Sequence, residues 1–286
     1  MLVVVFEGWN DAGDAASGVG RLLRDGLGLQ ARRTIDAELY LDYQFTRPTA
    51  VTEDGRRRLV WPSIVLYGPA RPAAGAPSRE VEIGVLIGTE PSRSWQSFAA
   101  EVMDLVLADD YEGIVFVGSM LADVPHTRPI SVVATSENTH VRARLGVERS
   151  GYEGPVGILA VLSDAAETLG IPTLSLWASL PHYVNGAPSP KATLALVEAL
   201  EPLLGVSLPR GELPAEAERW EHGIDQLAED DEDMAAYIRQ LEQARDTVDS
   251  PSASGEAIAE EFEQYLRRRD GRDGRDGGTA DGRRRD

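Results

Sequence analysis

Apolar residues follow two alternating patterns along the chain. Continuous runs such as "LVVVFEG" at 2–8 and "GIVFVGSM" at 113–120 are typical of strands buried on both faces of a sheet. Segments such as "SWQSFAAEVMDLVLADD" at 94–110 carry apolar residues at helical spacing, which predicts amphipathic helices. Because the two patterns alternate, the sequence predicts an α/β fold with a mostly parallel sheet covered by helices on both faces.

The same patterns predict the remaining elements of the first two-thirds of the chain. Further strands are expected at 34–41, 58–68, 80–88, 130–136 and 171–179. Further helices are expected at 14–27, 138–146, 156–170 and 189–205. Residues 42–80 have strands without an obvious helix between them, so some antiparallel pairing is expected there.

The character of the sequence changes near residue 208, where we place the end of the first domain. Residues 209–269 are predicted to form an acidic helical region, with a helical hairpin at 214–248 and one more helix at 257–269. Residues 270–286 are of low complexity and are predicted to be disordered. The hairpin has apolar stripes that it cannot bury alone, so we expect it to pack on the first domain or on a second subunit of a homo-oligomer.

Composition narrows the classes of function. The net charge is −19, and the residues from 211 onward include 22 acidic and 11 basic ones. An acidic chain of this kind is a poor candidate for binding nucleic acid. It has no cysteine, which excludes disulfides and thiolate chemistry. No apolar run approaches ~20 residues, and no signal-peptide pattern follows Met1. We therefore expect a cytoplasmic protein that neither crosses nor binds a membrane.

The joint between the first strand and helix, "FEGWNDAGDAAS" at 6–17, resembles a phosphate cradle in its glycines but carries Asp11 and Asp14. A carboxylate that already accepts from the N–H groups opening a helix blocks an anion there, and the P-loop lysine is absent. Two interpretations remain open. The aspartates form a structural cap, or they form a carboxylate site facing a cation, an amine or a hydroxyl.

Two loops contain histidine between prolines, "PHTRP" with His126 and "PHYVNGAPSP" with His182. Either histidine could act as a general base or simply bond backbone groups. The surrounding spacing is not that of a zinc site, so we expect no metal and no cofactor. Ser119 follows a strand, but the G-x-S-x-G pattern of a nucleophile elbow is missing, so a triad with His126 and Asp123 is a weak hypothesis.

Loops that leave the carboxyl ends of parallel strands share one edge of the sheet. We expect three such loops, after the strands at 2–8, 113–118 and 171–177, to gather their polar side chains around one cleft. Arg128 would bind a carboxylate there or pair with an aspartate of the cleft. The predicted cleft residues are Asp11, Asp14, Asp123, His126, Arg128, His182 and Tyr183.

Five sequence blocks resemble the proteasome assembly chaperone 2 family in its actinobacterial branch. They are "FEGWNDAGDAAS", "GTEPSRSW", "ADVPHTRPISV", "YEGPVGILAVL" and "LWASLPHYVNGAPSPKATLAL", in this order between residues 6 and 196. The resemblance implies a three-layer α/β/α sandwich like that of purine nucleoside phosphorylases and related hydrolases. It also implies a non-enzymatic assembly-chaperone-like function with a protein partner, for which the proteasome is one candidate.

One feature departs from the members of that family that dock on proteasome rings. Those members commonly end in a hydrophobic residue, a tyrosine and one more residue, whereas this sequence ends "RRRD". We therefore expect no tail-dependent docking on a proteasome ring. The alternative function is a small-molecule hydrolase- or phosphorylase-like enzyme, or a ligand binder, that uses the cleft at the sheet edge.

Overall fold

The structure is a computed structural model that describes residues 1–70, 82–184 and 188–248. Seven of its strands form one sheet, in the order β2-β5-β6-β1-β7-β9-β8, and the other two form a separate hairpin. The strands are β1 (Leu2–Glu7), β2 (Gln30–Ile35), β3 (Thr49–Glu53), β4 (Arg56–Val60), β5 (Ile64–Gly68), β6 (Gly84–Thr89), β7 (Ile114–Ala122), β8 (Val132–Thr135) and β9 (Thr173–Pro181).

The sheet is mixed. Its centre is parallel, because β1 pairs in parallel with both β6 and β7, and β7 pairs in parallel with β9. The outer strands β2, β5 and β8 make antiparallel pairs. The parallel centre and the antiparallel pairing within 42–80 are both as predicted.

Helices cover the two faces of the sheet. The helices of the described residues are α1 (Ala15–Gly26), α2 (Ala37–Tyr40), α3 (Trp95–Ala108), α4 (Thr139–Leu145), α5 (Ile158–Thr168), α6 (Pro190–Leu204), α7 (Leu213–Glu229) and α8 (Glu232–Val248). Alternate residues of β1 enter different cores, since Val3 and Val5 pack with α1 and α6 whereas Val4 and Phe6 pack with α3 and α5. Two cores separated by one sheet make a three-layer α/β/α architecture, as the resemblance implied.

Two predicted strands were wrong in detail. The segment 34–41 splits, because Asp36 ends β2 and its carboxylate accepts from the Glu38 N–H at 3.1 Å, which caps the short helix α2. The segment 58–68 also splits, since Pro62 has no N–H with which to continue a strand ladder. The first half therefore belongs to the exposed strand β4 and the second half to the buried strand β5.

The hairpin of β3 and β4, residues 49–60, is named the arm. Its turn is Asp54-Gly55, and both residues have positive φ, 50° and 72°, which suits a two-residue turn between antiparallel strands. Nine of its ten strand residues are exposed. The arm therefore presents both of its faces to solvent.

The chain divides into two compact units, Met1–Glu232 and a second one that begins at Asp233. The first unit contains α7, whose Ile224 is buried. The domain boundary near residue 208 stays a prediction. The helix predicted at 257–269 and the disordered tail predicted at 270–286 lie outside the described residues.

Candidate functional site

Three neighbouring parallel strands, β1, β7 and β9, end at the same edge of the sheet, and each is followed by one of the loops expected to form the cleft. Backbone bonds join two of these loops directly. The N–H of Ser119, near the end of β7, donates to the carbonyl of Asn10 at 2.9 Å. The third loop is described up to Val184 and again from Pro188.

Asp11 acts as the cap of α1. Its Oδ1 accepts from the N–H groups of Ala16 at 2.8 Å and Ser17 at 3.1 Å. Its Oδ2 is buried and has no hydrogen-bond partner among the described residues. Burial is the largest effect on this group and raises the pKa of Asp11, although the hydrogen bonds from Ser17 and Ala16 act in the opposite direction.

Asp14 directly precedes α1, but its side chain takes no part in this cap. It is exposed, its φ is 49°, and its side chain makes no capping bond to α1. It lines a groove of about 920 Å³ between α1, the start of α6 and α7, which also includes Arg21 and Trp220. The structure therefore places Asp11 and Asp14 in different surroundings.

Ser119 is not arranged as a nucleophile. Its side chain is fully buried, and its Oγ donates to the carbonyl of Ala12 at 2.8 Å. The ring of His126 faces other groups, and the carboxylate of Asp123 lies 3.2 Å from His182 Nδ1. The hypothetical triad of these three residues is therefore not formed.

His126 is fully buried, and both of its ring nitrogens have partners. Nδ1 lies 2.8 Å from the hydroxyl of Tyr183, and Nε2 lies 3.1 Å from Oδ1 of Asp225 on α7. The hydroxyl of Tyr183 also accepts from the backbone N–H of His126 at 2.8 Å. These bonds fit an imidazole that carries its proton on Nε2, accepts from Tyr183 and donates to Asp225.

A second connection joins α7 to the same loop. Lys191, near the start of α6, donates from Nζ to the carbonyl of His126 at 2.5 Å and forms an ion pair with Glu221 of α7. The ammonium group is mostly buried, so this pair is more strongly coupled than an exposed one. Through His126 and Lys191, two carboxylates of α7 are tied to the loop that follows β7.

The remaining predicted residues lie nearer the surface. Asp123 and His182 form the exposed pair, and the rings of His182 and Tyr183 meet edge-on with centroids 5.9 Å apart. Arg128 donates to the hydroxyl of Thr127 at 3.3 Å. The structure thus brings Asp123, His182, Tyr183 and His126 together in one chain of contacts.

Sequence reasoning missed Glu90, which follows β6. Its carboxylate accepts from the Trp9 N–H at 3.2 Å, the Asn10 side-chain amide at 2.8 Å and the Ile158 N–H at 2.8 Å. The last bond caps α5, and Gly157 lets the chains approach, since a Cβ there would lie 2.3 Å from Asn10 Oδ1. The signal was available, because β6 is parallel to β1 and its loop reaches the same edge.

The polar groups at the sheet edge are thus largely engaged with one another and with the backbone. Asp11 and Glu90 cap helices, Ser119 fixes a loop, and His126 joins α7 to the edge. Within the described residues, no group of three or more His, Asp or Glu side chains is arranged to hold a metal ion. These hydrogen bonds join the edge loops to one another and to helices α1, α5 and α7.

Comparison with known proteins agrees with this three-layer α/β/α architecture. The sequence model of the PAC2 family matches residues 5–228. The chain belongs to the PAC2 family, as the sequence blocks indicated. Among curated proteins, no match to the chain is found.

Three solved structures illustrate the relationship. A PAC2 family protein from Streptomyces avermitilis is 40% identical, with a TM-score of 0.73, and the match covers 83% of this chain and 98% of that one. A proteasome-assembly chaperone homologue from Mycobacterium tuberculosis is 38% identical, with a TM-score of 0.72 and coverages of 83% and 100%. A Mycobacterium tuberculosis protein of unknown function is 25% identical, with a TM-score of 0.75 and coverages of 86% and 84%.

Among the helices of the described ranges, none is both long enough and apolar enough to cross a bilayer.

Proposed function

We propose that this protein is a non-enzymatic interaction factor, similar to an assembly chaperone, whose partner is another protein. The observation that carries the proposal is the state of the sheet edge, where the Ser119 hydroxyl is buried and bonded to backbone and the His126 ring is held between Tyr183 and Asp225. A hydrolase would need a nucleophile and a base in reach of a substrate. Here those groups stabilise the fold.

Exposed apolar residues support a role in protein recognition. Trp9, on the loop held by Glu90, is 76% exposed, and Phe45, just before the arm, is 83% exposed. Aromatic side chains on rigid supports are typical anchors of protein interfaces. One relative at 38% identity is named a proteasome-assembly chaperone homologue, which favours an assembly-related partner for this chain too. The proposal includes a cytoplasmic location and self-association.

One observation favours a second candidate, a small-molecule binder or a hydrolase- or phosphorylase-like enzyme. The groove of about 920 Å³ beside α1 and α7 is large enough for such a ligand and contains acidic, basic and aromatic side chains. It does not contain Ser119 or His126. A ligand bound there would therefore use residues other than those first suggested by the sequence.

Affinity capture from native cell extract, followed by mass spectrometry, tests the proposal. The bait is the full chain, and the matched baits are Trp9→Ala and Trp220→Ala, which alter the loop surface and the groove respectively. We expect a protein captured in stoichiometric amount by the wild type and lost with Trp9→Ala. If the captured proteins are proteasome subunits, the proteasome is the partner. A bait that retains only a small molecule, lost with Trp220→Ala, would contradict the proposal and support the second candidate.

A further inference from the structure

A pocket of about 330 Å³ lies at the base of the arm, and neither the larger groove nor the contacts of His126 belong to it. It is lined by residues 34–38, where β2 passes into α2, by Tyr43, and by residues 61–63, which link the arm to β5. This volume is at the small end of the range for ligand pockets. The pocket therefore suits a single side chain or a group of similar size.

Two aromatic rings belong to this pocket. Tyr43 and Trp61 meet edge-on, with their centroids 5.0 Å apart and their planes at 69°, and Trp61 is 52% exposed. Pro62 restricts the backbone of the residue before it, so Trp61 is carried on a stiff link. The π face of an indole attracts cations, and arginine is the side chain most often found against it.

The lining of the same pocket includes two acidic residues, Asp36 and Glu38, and no basic residue of the described chain. The carboxylate of Asp36 accepts from the Glu38 N–H at 3.1 Å, so it lies along the backbone that lines the pocket. Within residues 1–70, 82–184 and 188–248, neither acidic side chain forms an ion pair. Arg93 donates instead to the carbonyls of Leu39 and Glu38, at 3.3 and 2.5 Å. The pocket thus combines negative charge with an aromatic surface, which fits a planar guanidinium group.

This pocket is connected to the loop that carries Trp9. The carbonyl of Ser63 accepts from the Thr89 N–H at 3.3 Å, and the next residue, Glu90, holds the Trp9 N–H. Because β2 and β6 are both antiparallel to β5, β2 ends at the same edge of the sheet as β6 and β1. A protein that contacts the exposed ring of Trp9 is therefore placed to reach the pocket.

We propose that the pocket binds an arginine side chain of the partner protein. The guanidinium group stacks on Trp61 and pairs with Asp36 and Glu38. This inference rests on the proposed function, because it names the kind of side chain that the partner presents. It adds a site of charge recognition beside the apolar anchor Trp9.

NMR titration of the full chain tests the site, with acetyl-arginine amide as the probe. We expect saturable shifts of the Trp61 indole and of the amides at 36–38, and at least about fivefold weaker binding of acetyl-citrulline amide, which lacks the charge. Asp36→Asn keeps an acceptor for the cap of α2, and its combination with Glu38→Gln should weaken binding of the probe at least about fivefold. Trp61→Leu, at a half-exposed position, should abolish the shifts at 36–38. Glu153→Gln, on an exposed carboxylate elsewhere, is the matched control and should leave binding unchanged.

Three results of the titration would overturn the inference. The amides at 36–38 could fail to shift, acetyl-citrulline amide could bind as tightly as the arginine probe, or the double variant could behave like Glu153→Gln. Affinity capture provides the second arm, because a bait with Asp36→Asn and Glu38→Gln should retain at least about fivefold less of the protein captured by the wild type. Undiminished capture would show that the partner does not use the pocket. Binding of the probe by a chain that captures no protein would contradict both proposals, whereas a captured protein with an inert pocket would leave the proposed function intact.

Discussion

The sheet edge and the arm use polar residues in opposite ways. At the edge, His126 is fully buried, and the bonds of Asp11 and Glu90 hold helices and loops in place. On the arm, three consecutive arginines and a few apolar residues lie on strands that are exposed on both faces. A buried polar group is costly unless it is paired, so the buried polar groups of the edge are held to particular partners. The side chains of the arm lie in solvent and are not held in this way.

This difference shows why polar residues on shaped loops are poor indicators of a reactive site by themselves. The edge has the residue types of catalysis, yet the contacts of Ser119 and His126 serve the fold. The arm has no residue pattern of catalysis, but it exposes the combination of charge and apolar surface that protein partners recognise. Substitutions at four positions would break or sharpen the comparison.

The largest effect is expected for His126→Ala. It removes a fully buried ring and leaves Tyr183 and Asp225 without the nitrogens that they face, so we expect a loss of about 2–4 kcal/mol in the free energy of unfolding. Urea denaturation measures it. His222→Ala is the matched control, since that ring also faces Asp225, at 3.8 Å, but is 85% exposed. Equal losses in the two variants would show that burial of the His126 ring contributes nothing to the free energy of unfolding.

Glu90→Ala should come next. The variant leaves the N–H groups of Trp9 and Ile158 without their acceptor, so we expect a loss of about 1–3 kcal/mol. Hydrogen exchange measured by NMR should show faster exchange at these two amides in particular. Glu153→Ala, on an exposed carboxylate, should change neither quantity. Unchanged protection of both amides would contradict the assignment of Glu90 as the residue that joins the two loops.

Asp11 is expected to show a smaller effect that depends on pH. Asp11→Ala removes the cap of α1 and should cost about 1–2 kcal/mol, whereas Asp11→Asn keeps an acceptor oxygen and should cost less.

The sign of the pH dependence follows from burial, which raises the pKa of Asp11 in the folded state. The carboxyl group then contributes stability that is fully present below its ordinary pKa and is lost as the pH rises through the raised value. The cost of Asp11→Asn, measured by denaturation at several pH values, should therefore be largest in acid and should shrink towards neutral pH. A cost that grows towards neutral pH would show that the charged cap dominates.

The smallest effect on stability is expected on the arm. Leu59→Ala truncates a side chain that is already half exposed, so the free energy of unfolding should change by less than about 0.5 kcal/mol. The same substitution at Leu162, which is fully buried, should cost about 2–5 kcal/mol. A large loss of stability from Leu59→Ala would mean that the Leu59 side chain is packed rather than exposed.

The main sheet was predictable because its central strands are continuous apolar runs in the sequence. The run "LVVVFEG" corresponds to β1. The alternation of such runs with amphipathic segments, taken with the family resemblance, correctly predicted the three layers. The errors arose where a short-range effect overrides hydrophobicity. Asp36 caps a helix inside an apolar run, and Pro62 interrupts what otherwise reads as one long strand.

The sequence predicted the edge of the sheet at which the candidate site lies, but not which residues are hydrogen-bonded to one another there. Strand order explains why the loops of His126 and His182 meet, since parallel strands end at one edge. The partners of these residues could not be inferred, because Asp225 is 99 positions from His126 and Glu90 is 80 positions from Asn10. Such pairings depend on how helices and loops are placed in space, and local sequence spacing does not encode that placement.

The ion pair of Lys191 with Glu221 has a practical consequence for chemical labelling. Lys191 is the only lysine of the sequence, so the chain has one side-chain amine in addition to its N-terminus. Its ammonium is held by Glu221 of α7 and by the carbonyl of His126. An acylating reagent that acts on free amines would therefore modify this side chain only when α7 separates from the loop. The extent of that one modification would report how often the helix opens.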